Sequence, residues 1–407
     1  MSYNYFRLDN GIRIIHKLVA SPIAHIGVVV NTGTREELPS ERGIAHFIEH
    51  VIFKGTEKRN TYQVLSYLEN IGGDLNAYTT KEETFFYASV LNQYLGRAAE
   101  LLSDIIFHST FHEKDIETEK DVVIEEIQLC KDTPTEWIFD EFENLIFKGS
   151  SLGTNILGTK KEVKQIKRET IFNFIAKNYN TDQMVIAIVG NVPFEQIKRI
   201  VSKYFALIPA NKRQFTRKKL EPYQPDSKHI KIHSNQSHAV MGCVLPSYDE
   251  RKNQIATLLS NILGGQGLNS RLNMAIREKK GYVYNIESSY SAMSDLSIFN
   301  IYIGCEQKNL DKCFELTHRE LNKLRNVKLG TLQLHRAKLQ MIGQVEITYE
   351  SNLTEMLSIG KNHLMFEDVE TIEGVVEKIS TITADELIDM ANEMLNIDNL
   401  SYITMGK

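Results

Sequence analysis

The sequence has 407 residues, 42% of them hydrophobic, which is long enough for two domains that each bury a core of their own. Its net charge of −5 argues against nucleic acid as a default partner. No apolar run approaches the roughly 18 residues of a membrane span, and residues 1–8 lack the pattern of a secretory signal, so we expect neither a membrane protein nor a secreted one.

The first half of the chain begins with two predicted strands. Residues 12–16 and 26–31 are short runs rich in β-branched residues, as is typical of strands. A polar turn follows, and then a predicted helix at residues 40–53. Later in this half, residues 72–80 read as a glycine turn that leads into an alternating strand, which on pattern alone is an ordinary hairpin strand.

The predicted helix carries an H-x-x-E-H motif. His46, Glu49 and His50 are the only polar side chains between residues 44 and 53, and such an apolar segment is typical of a buried helix. In a helix the two histidines lie one turn apart on one face, where they can hold one zinc ion, and Glu49 beside them can accept a proton from water. A strand would separate the histidines by about 13 Å, too far for shared chelation. The structural alternative is a buried helix with two hydrogen-bonded histidines.

A second predicted helix, residues 112–134, offers a third metal ligand. Glu119 and Glu126 lie two turns apart within its apolar stripe. A catalytic zinc site uses three protein ligands and leaves one position open, so one carboxylate can bind the metal and the other can lie in its outer shell. On pattern alone two alternatives stay open: Cys130 as the third ligand, or a solvated edge of an acidic helix that carries both glutamates.

These motifs resemble those of the pitrilysin-type (insulinase-like) zinc metallopeptidases. The short-chain branch, with the bacterial processing proteases and the mitochondrial processing peptidase, is the most similar. The resemblance covers essentially the whole chain, from residues 8–11 through 31–36, 43–50 and 53–56 onward. The third zinc ligand of the family matches Glu126, and a second family glutamate two turns earlier matches Glu119. The resemblance therefore implies one Zn²⁺ per chain on His46, His50 and Glu126, with Glu49 as the general base.

The resemblance also implies substrate contacts in both halves of the chain. In the family, the strand that matches residues 72–80 is a sheet edge that pairs with an extended peptide, and it places Asn76 and Ala77 at the substrate. In the second half, Arg277 and Tyr284 match an Arg–Tyr pair that reaches towards the catalytic centre. An arginine can bind a peptide carbonyl or carboxylate, and a tyrosine hydroxyl can stabilise an oxyanion. Without the resemblance they would be read as a surface arginine and a core tyrosine.

The chain is predicted to divide near its middle. Residues 209–226 contain basic residues and three prolines and read as a basic, solvated linker, with a basic binding patch as the alternative. The predicted domains are residues 1–208, which hold the metal, and residues 227–407, which do not.

The two predicted domains show a faint internal duplication. Predicted strands at residues 228–233 and 239–245, followed by a helix at residues 253–263, repeat the opening of the first half without its H-x-x-E-H motif. The resemblance implies an α+β fold of two tandem homologous domains, each an antiparallel-rich sheet with helices packed on one face.

The expected function is that of a zinc metalloendopeptidase that hydrolyses unfolded peptides in an extended conformation. The resemblance implies a homodimer, with a heterodimer of related subunits as the alternative, and neither nucleic acid nor a membrane is expected as a partner. Four cysteines without paired spacing indicate reduced thiols and a cytoplasmic location. Two rival functions are a non-catalytic subunit of a two-component peptidase, and an S-ribosylhomocysteine lyase, which carries the same motif with a cysteine ligand.

Overall fold

Two β-sheets organise the chain in the computed structural model, which describes residues 3–367 and 369–407. The six-stranded sheet has the order β1-β2-β6-β3-β5-β4, and the five-stranded sheet has the order β7-β11-β8-β10-β9. The strands are β1 (Asn4–Arg7), β2 (Arg13–Leu18), β3 (Ile23–Val30), β4 (Asp74–Thr79), β5 (Thr84–Leu91), β6 (Met184–Gly190), β7 (Ser227–Lys231), β8 (Gln236–Pro246), β9 (Val283–Ala292), β10 (Leu296–Glu306) and β11 (Ser401–Gly406).

The helices are interleaved with the strands in both halves of the sequence. They are α1 (Ile44–Val51), α2 (Thr61–Glu69), α3 (Leu95–His108), α4 (Glu113–Asp132), α5 (Pro134–Ile146), α6 (Lys160–Gln165), α7 (Arg168–Asn178), α8 (Phe194–Phe205), α9 (Glu250–Gly264), α10 (Leu310–Asn326), α11 (Thr331–Tyr349), α12 (Asn352–Met365), α13 (Ile372–Thr381) and α14 (Ala384–Met394). None of the helices in the described residues combines the length and the apolar character that crossing a lipid bilayer requires.

The chain forms two compact units that are not contiguous in sequence. The first unit comprises residues 1–128, 154–218 and 348–371, and the second comprises residues 129–153, 219–347 and 372–407. These units differ from the contiguous domains 1–208 and 227–407 that the sequence suggests. The reason is that α5 packs in the second unit and α12 packs in the first, each with the sheet encoded by the other half of the chain.

The first sheet is covered on both faces. All residues of β6 are buried, which explains why this strand reads as an apolar run without alternation. Helices α1, α2, α3, α4, α7 and α8 contribute to the core on one face, and α12 packs against the other. At Gly360 of α12 a Cβ atom would lie 2.9 Å from the ring of Phe85, so the helix approaches the sheet closely only because a glycine stands there.

The second sheet has the same plan. Helices α9, α10 and α14 pack against one face, and the buried side chains Ile138, Phe142 and Ile146 of α5 pack against the other, next to Val240 and Ile403. The prediction of sheets with helices is confirmed, with one refinement: the main helical layer covers one face of each sheet, and in the described part of the chain one long helix, α12 or α5, packs against the opposite face.

The strand orders support the predicted internal duplication. In each sheet a parallel pair, β2–β6 or β11–β7, is followed by three antiparallel strands that end at the edge strand, β4 or β9. In both halves a helical segment lies in the chain between the first of these three strands and the edge strand: α1 and α2 lie between β3 and β4, and α9 lies between β8 and β9. Two copies of one supersecondary plan account for this correspondence.

The basic segment between the two halves is not a solvated linker throughout. Residues 209–226 form no helix or strand, but the side chain of Arg217 is only 12% exposed. Its Nε lies 2.6 Å from Glu36 Oε1, and its Nη2 donates to Asn31 Oδ1 at 2.8 Å. The prediction of a freely solvated segment is therefore wrong for Arg217, because its charge is paired with a buried carboxylate of the first unit.

Candidate metal centre

Helix α1 begins where a carboxylate of the preceding segment caps it. Gly43 has φ of 82°, and a Cβ atom there would lie 2.6 Å from the carbonyl oxygen of Leu157, so the predicted helix from residue 40 starts only at Ile44. Glu37, 6% exposed, replaces the missing cap: its Oε2 accepts from Gly43 N and its Oε1 from Ala45 N, both at 2.9 Å. Burial raises the pKa of Glu37 to about 8, against the opposing effect of these two donors.

Helix α1 brings the two histidines together with a glutamate of α4. Nε2 of His50 lies 3.3 Å from Glu126 Oε2, and Nε2 of His46 lies 3.8 Å from the same oxygen. The three side chains offer ligand atoms that all lie within 4.8 Å of one another. The structure therefore forms the cluster that the helical interpretation of H-x-x-E-H predicts.

The chemistry of this cluster fits a zinc ion. Glu126 Oε2 is buried and has no hydrogen-bond partner among the residues that the structure describes, although both imidazoles face it. An unpartnered buried carboxylate oxygen is costly unless a cation accompanies it. Two imidazoles and one carboxylate also form the donor set of open catalytic zinc sites.

The electrostatics of the cluster differ between its two histidines. Burial, together with the neighbouring His50, lowers the pKa of His46 to about 4, so its ring is neutral at pH 7 and keeps a lone pair for a metal. For His50, burial would lower the pKa, but the contacts with Glu126 and Glu119 outweigh it and raise the pKa. The contact with His50 in turn lowers the pKa of Glu126.

Glu119 and Cys130 lie outside this cluster. Glu119, 5% exposed, places Oε2 at 3.2 Å from His50 Nδ1 and forms an ion pair with Lys54 through Oε1. It therefore contacts the Nδ1 edge of the His50 ring, which points away from Glu126. The thiol of Cys130 instead donates to Asp140 Oδ2 at 3.3 Å, so the structure does not support Cys130 as the third ligand.

Glu49 lies beside the cluster, on the turn between the two histidines. Its Oε2 accepts a hydrogen bond of 2.6 Å from the hydroxyl of Thr79, the last residue of β4. Burial raises the pKa of Glu49, and this hydrogen bond opposes the rise. A half-buried carboxylate whose pKa is raised is a stronger base than an exposed one, as suits a general base.

The predicted substrate strand is an edge of the first sheet. Among the strands that the structure describes, β4 pairs with β5 alone, so its other side offers unpaired backbone groups. Asn76 is exposed and Ala77 is half-buried, and Asn76 Oδ1 accepts from the backbone N–H of Ala77 at 2.8 Å.

Arg277 and Tyr284 belong to the second unit. Arg277 is exposed on a short π-helical segment, and Tyr284, 40% exposed, lies on the edge strand β9. The Tyr284 hydroxyl lies 3.3 Å from His238 Nδ1 and 3.4 Å from the hydroxyl of Tyr302. His238 and Tyr302 are themselves in contact at 2.8 Å. Tyr284 is thus a strand residue held by two polar neighbours.

Comparison with known proteins gives the family of the chain. The family model described as Insulinase (Peptidase family M16) matches residues 14–160, and the model described as Peptidase M16 inactive domain matches residues 165–341. A Bacillus subtilis (strain 168) protein named uncharacterized zinc protease YmxG is 30% identical over 97% of this chain and 96% of its own length. The chain belongs to peptidase family M16. An uncharacterized zinc protease of Rickettsia felis is 31% identical to this M16 protein over 99% of the chain and 97% of its own length.

Solved structures agree with the fold of this M16 protein. A Pseudomonas fluorescens structure described as a peptidase M16 inactive domain matches with a TM-score of 0.93 at 17% identity and covers 100% of this chain and 98% of that one. A Helicobacter pylori protease matches with a TM-score of 0.91 at 18% identity, over 100% of this chain and 99% of that one. The resemblance inferred from the motifs is confirmed, and relatives named zinc proteases support zinc and peptidase activity at the level of the family.

Several residues that build the site of this M16 protein are not identified by its sequence motifs. Glu37 caps the metal-binding helix, Thr79 bonds Glu49, and His238 contacts Tyr284. A signal for Thr79 was available, because Ala77 and Thr79 are two residues apart on a strand and so share a face. No local signal identifies Glu37, which reaches the start of α1 from the irregular segment before it. Nor does one identify His238, whose partner Tyr284 lies on another strand.

Proposed function

We propose that this protein is a zinc-dependent endopeptidase that hydrolyses unfolded peptides bound in an extended conformation. The observation that carries the proposal is the convergence of His46 Nε2, His50 Nε2 and Glu126 Oε2. Glu49 lies on the same helix, one residue before His50, where a base for peptide hydrolysis is needed. Family membership and relatives named zinc proteases point to the same chemistry.

Each residue of the centre has a role in this proposal. A zinc ion bound by His46, His50 and Glu126 would polarise a water molecule and the substrate carbonyl. Glu49 accepts a proton from the attacking water and then donates it to the nitrogen of the leaving amine, so that the products are a free carboxyl and a free amine. Glu119 holds the ring of His50 through Nδ1 and so directs its Nε2 lone pair towards Glu126.

The edge strand β4 supports the proposed substrate class. A peptide that adds to an exposed edge forms main-chain hydrogen bonds, which require an extended conformation and select weakly among side chains. A folded protein cannot present such a strand without opening locally. Asn76 and Ala77 of β4 are the proposed substrate contacts, and short or unfolded polypeptides are the proposed substrates.

A homodimer in the cytoplasm completes the proposal. The metal cluster lies in the first unit, and the part of the second unit that the structure describes contains no comparable group of His, Cys, Asp and Glu side chains. The proposed contribution of the second unit is therefore the pair Arg277 and Tyr284, acting on the substrate. The dimer rests on the resemblance to short-chain relatives, and the cytoplasmic location rests on the sequence, whose four cysteines have no paired spacing.

Metal analysis combined with peptide cleavage tests the proposed function. Purified protein should contain about one zinc per chain and should cleave an unstructured peptide mixture, and a chelator should abolish cleavage until zinc is restored. Zinc binding without cleavage of any peptide would favour the rival function, a non-catalytic subunit. Absence of zinc binding at micromolar metal would exclude the proposal.

A further inference from the structure

We infer that Thr79 is a positioning residue, whose hydroxyl holds one oxygen of the Glu49 carboxylate so that the other oxygen is free to take the proton of water. This inference rests on the proposed peptidase function and adds to it a residue that lies outside the H-x-x-E-H motif and to which the resemblance assigns no role.

The contact is specific in geometry. Thr79 Oγ1 donates to Glu49 Oε2 at 2.6 Å, a short distance of the kind seen when a hydroxyl binds a charged oxygen. Among residues 3–367 and 369–407, Thr79 is the only hydrogen-bond partner of this carboxylate. One oxygen of Glu49 is therefore held by a donor, and the other has no donor to compete with water.

The position of Thr79 is fixed by the sheet. In the register of β4 and β5, Thr79 lies opposite Thr84, a fully buried residue whose hydroxyl donates to the carbonyl of Thr32 at 2.8 Å. The next residue, Thr80, donates its backbone N–H to Glu83 at 2.8 Å and closes the turn between the strands. A β-branched side chain on an anchored strand end has few rotamers, so the hydroxyl stays in one place.

The contact joins the base to the strand that we propose as the substrate site. Glu49 is carried by α1, and Thr79 ends the edge strand that contains Asn76 and Ala77. A peptide that pairs with β4 would therefore lie in a fixed register relative to the carboxylate that takes the proton. Such fixed placement of a catalytic group lowers the entropy cost of reaching the transition state.

The kinetic test compares Thr79→Val, Thr79→Ser and a matched control. Val keeps the shape and β-branching without the hydroxyl, and Ser keeps the hydroxyl. Thr404→Val is the control, because Thr404 is also a half-buried strand residue whose hydroxyl bonds a side chain, here His229 Nδ1 at 2.8 Å. For an unstructured fluorogenic peptide we expect Thr79→Val to lower kcat about 10- to 100-fold, with KM and zinc content little changed. Thr79→Ser should recover most of kcat, and Thr404→Val should match wild type.

Two double-mutant cycles with Glu49→Gln show whether Thr79 acts through Glu49. In the residual hydrolysis of Glu49→Gln, adding Thr79→Val should cost less than about twofold, because the carboxylate that Thr79 serves is already absent. The second cycle compares the melting temperatures of zinc-free wild type, the two single variants and the double variant. The effects of the two substitutions should be non-additive, and this readout needs no activity. If Thr79→Val does not fold, Thr79→Ala takes its place in both cycles.

Several outcomes would overturn the inference. Wild-type kcat in Thr79→Val, loss of its zinc, or an equal loss of hydrolysis with and without Glu49 would each show that Thr79 does not position the base. Failure of the proposed function is distinct, because then wild-type protein itself hydrolyses no peptide. In that case the inference falls with it, even where the melting temperatures are coupled.

Discussion

Oε2 of Glu119 lies 3.2 Å from Nδ1 of His50, on the side of the ring away from the Nε2 atom that faces Glu126. A carboxylate in this position keeps the proton on Nδ1 and the lone pair on Nε2, which is the form that binds a metal. The buried Glu119 is itself neutralised by Lys54. The geometry thus gives the two glutamates of α4 different positions: Glu126 faces the Nε2 atoms of both histidines, and Glu119 contacts Nδ1 of His50.

Replacing Glu119 by Gln should therefore weaken zinc binding without abolishing it. The amide oxygen can still accept from Nδ1, but it lacks the negative charge, and the loss should be on the order of 10- to 100-fold in zinc affinity. Competition with a chromophoric chelator measures it. If Glu119→Gln loses zinc as completely as His50→Ala, then Glu119 is a direct ligand.

Replacing His50 by Ala should remove both zinc and peptide hydrolysis. Two protein ligands do not make a stable catalytic zinc site. His50 is only half-buried, so we expect the free energy of unfolding of the zinc-free variant to lie within about 1 kcal/mol of that of zinc-free wild type. Elemental analysis and thermal melts check both expectations, with the exposed His335→Ala as the control. Full zinc occupancy in His50→Ala would disprove the assignment.

Replacing Glu49 by Gln should preserve zinc and stop hydrolysis. The amide keeps the shape of the side chain but cannot accept the proton, and general base catalysis alone contributes on the order of 10²- to 10⁴-fold. Elemental analysis and kcat/KM are the measurements, with Glu69→Gln on the exposed face of α2 as the control. Turnover near that of wild type would exclude Glu49 as the base.

Replacing Glu37 by Gln should destabilise the protein in a pH-dependent way. Gln can accept from only one of the two N–H groups of Gly43 and Ala45, and an unsatisfied buried donor costs about 1–3 kcal/mol. Burial raises the pKa of Glu37 to about 8, so between its usual pKa and 8 the folded protein holds a proton that the unfolded chain has lost. Unfolding then releases that proton, and this contribution to stability falls as pH rises, by at most ~1.4 kcal/mol per pH unit.

The variant Glu37→Gln lacks this titration, so its deficit relative to wild type should shrink between pH 5 and pH 9. Urea melts of zinc-free proteins at both pH values measure the difference. A deficit independent of pH would show that Glu37 is ionised throughout this range.

Mixing two inactive variants tests the proposed dimer. If Arg277 and Tyr284 act on the substrate of the partner chain, a dimer of Glu49→Gln with Tyr284→Phe has one intact site, and random mixing should return about a quarter of wild-type activity. If they act within their own chain, no ratio of the two variants recovers activity. Sedimentation of the active fraction decides the assembly itself, and an active monomer would contradict the dimer.

Much of the site follows from local rules. His46, Glu49 and His50 are grouped because the helical repeat places residues three and four apart on one face. Glu119 and Glu126 share a stripe of α4 for the same reason. The start of α1 was predicted less well. In the sequence, residues 40–43 are compatible with a helix, and only the left-handed φ of Gly43 shows that the helix starts after them.

By itself the sequence determined the H-x-x-E-H cluster, the glutamates of α4, the two-sheet fold and the family, because each depends on periodicity or on motifs read along the chain. Only the tertiary structure decided that Thr79 bonds Glu49, that Glu37 caps α1, and that α5 and α12 pack in the units encoded by the opposite halves. Contacts of this kind join residues whose separation in sequence carries no period. They are fixed when strands choose their register and helices bury their apolar faces, and both choices minimise the free energy of the whole chain rather than of any one segment.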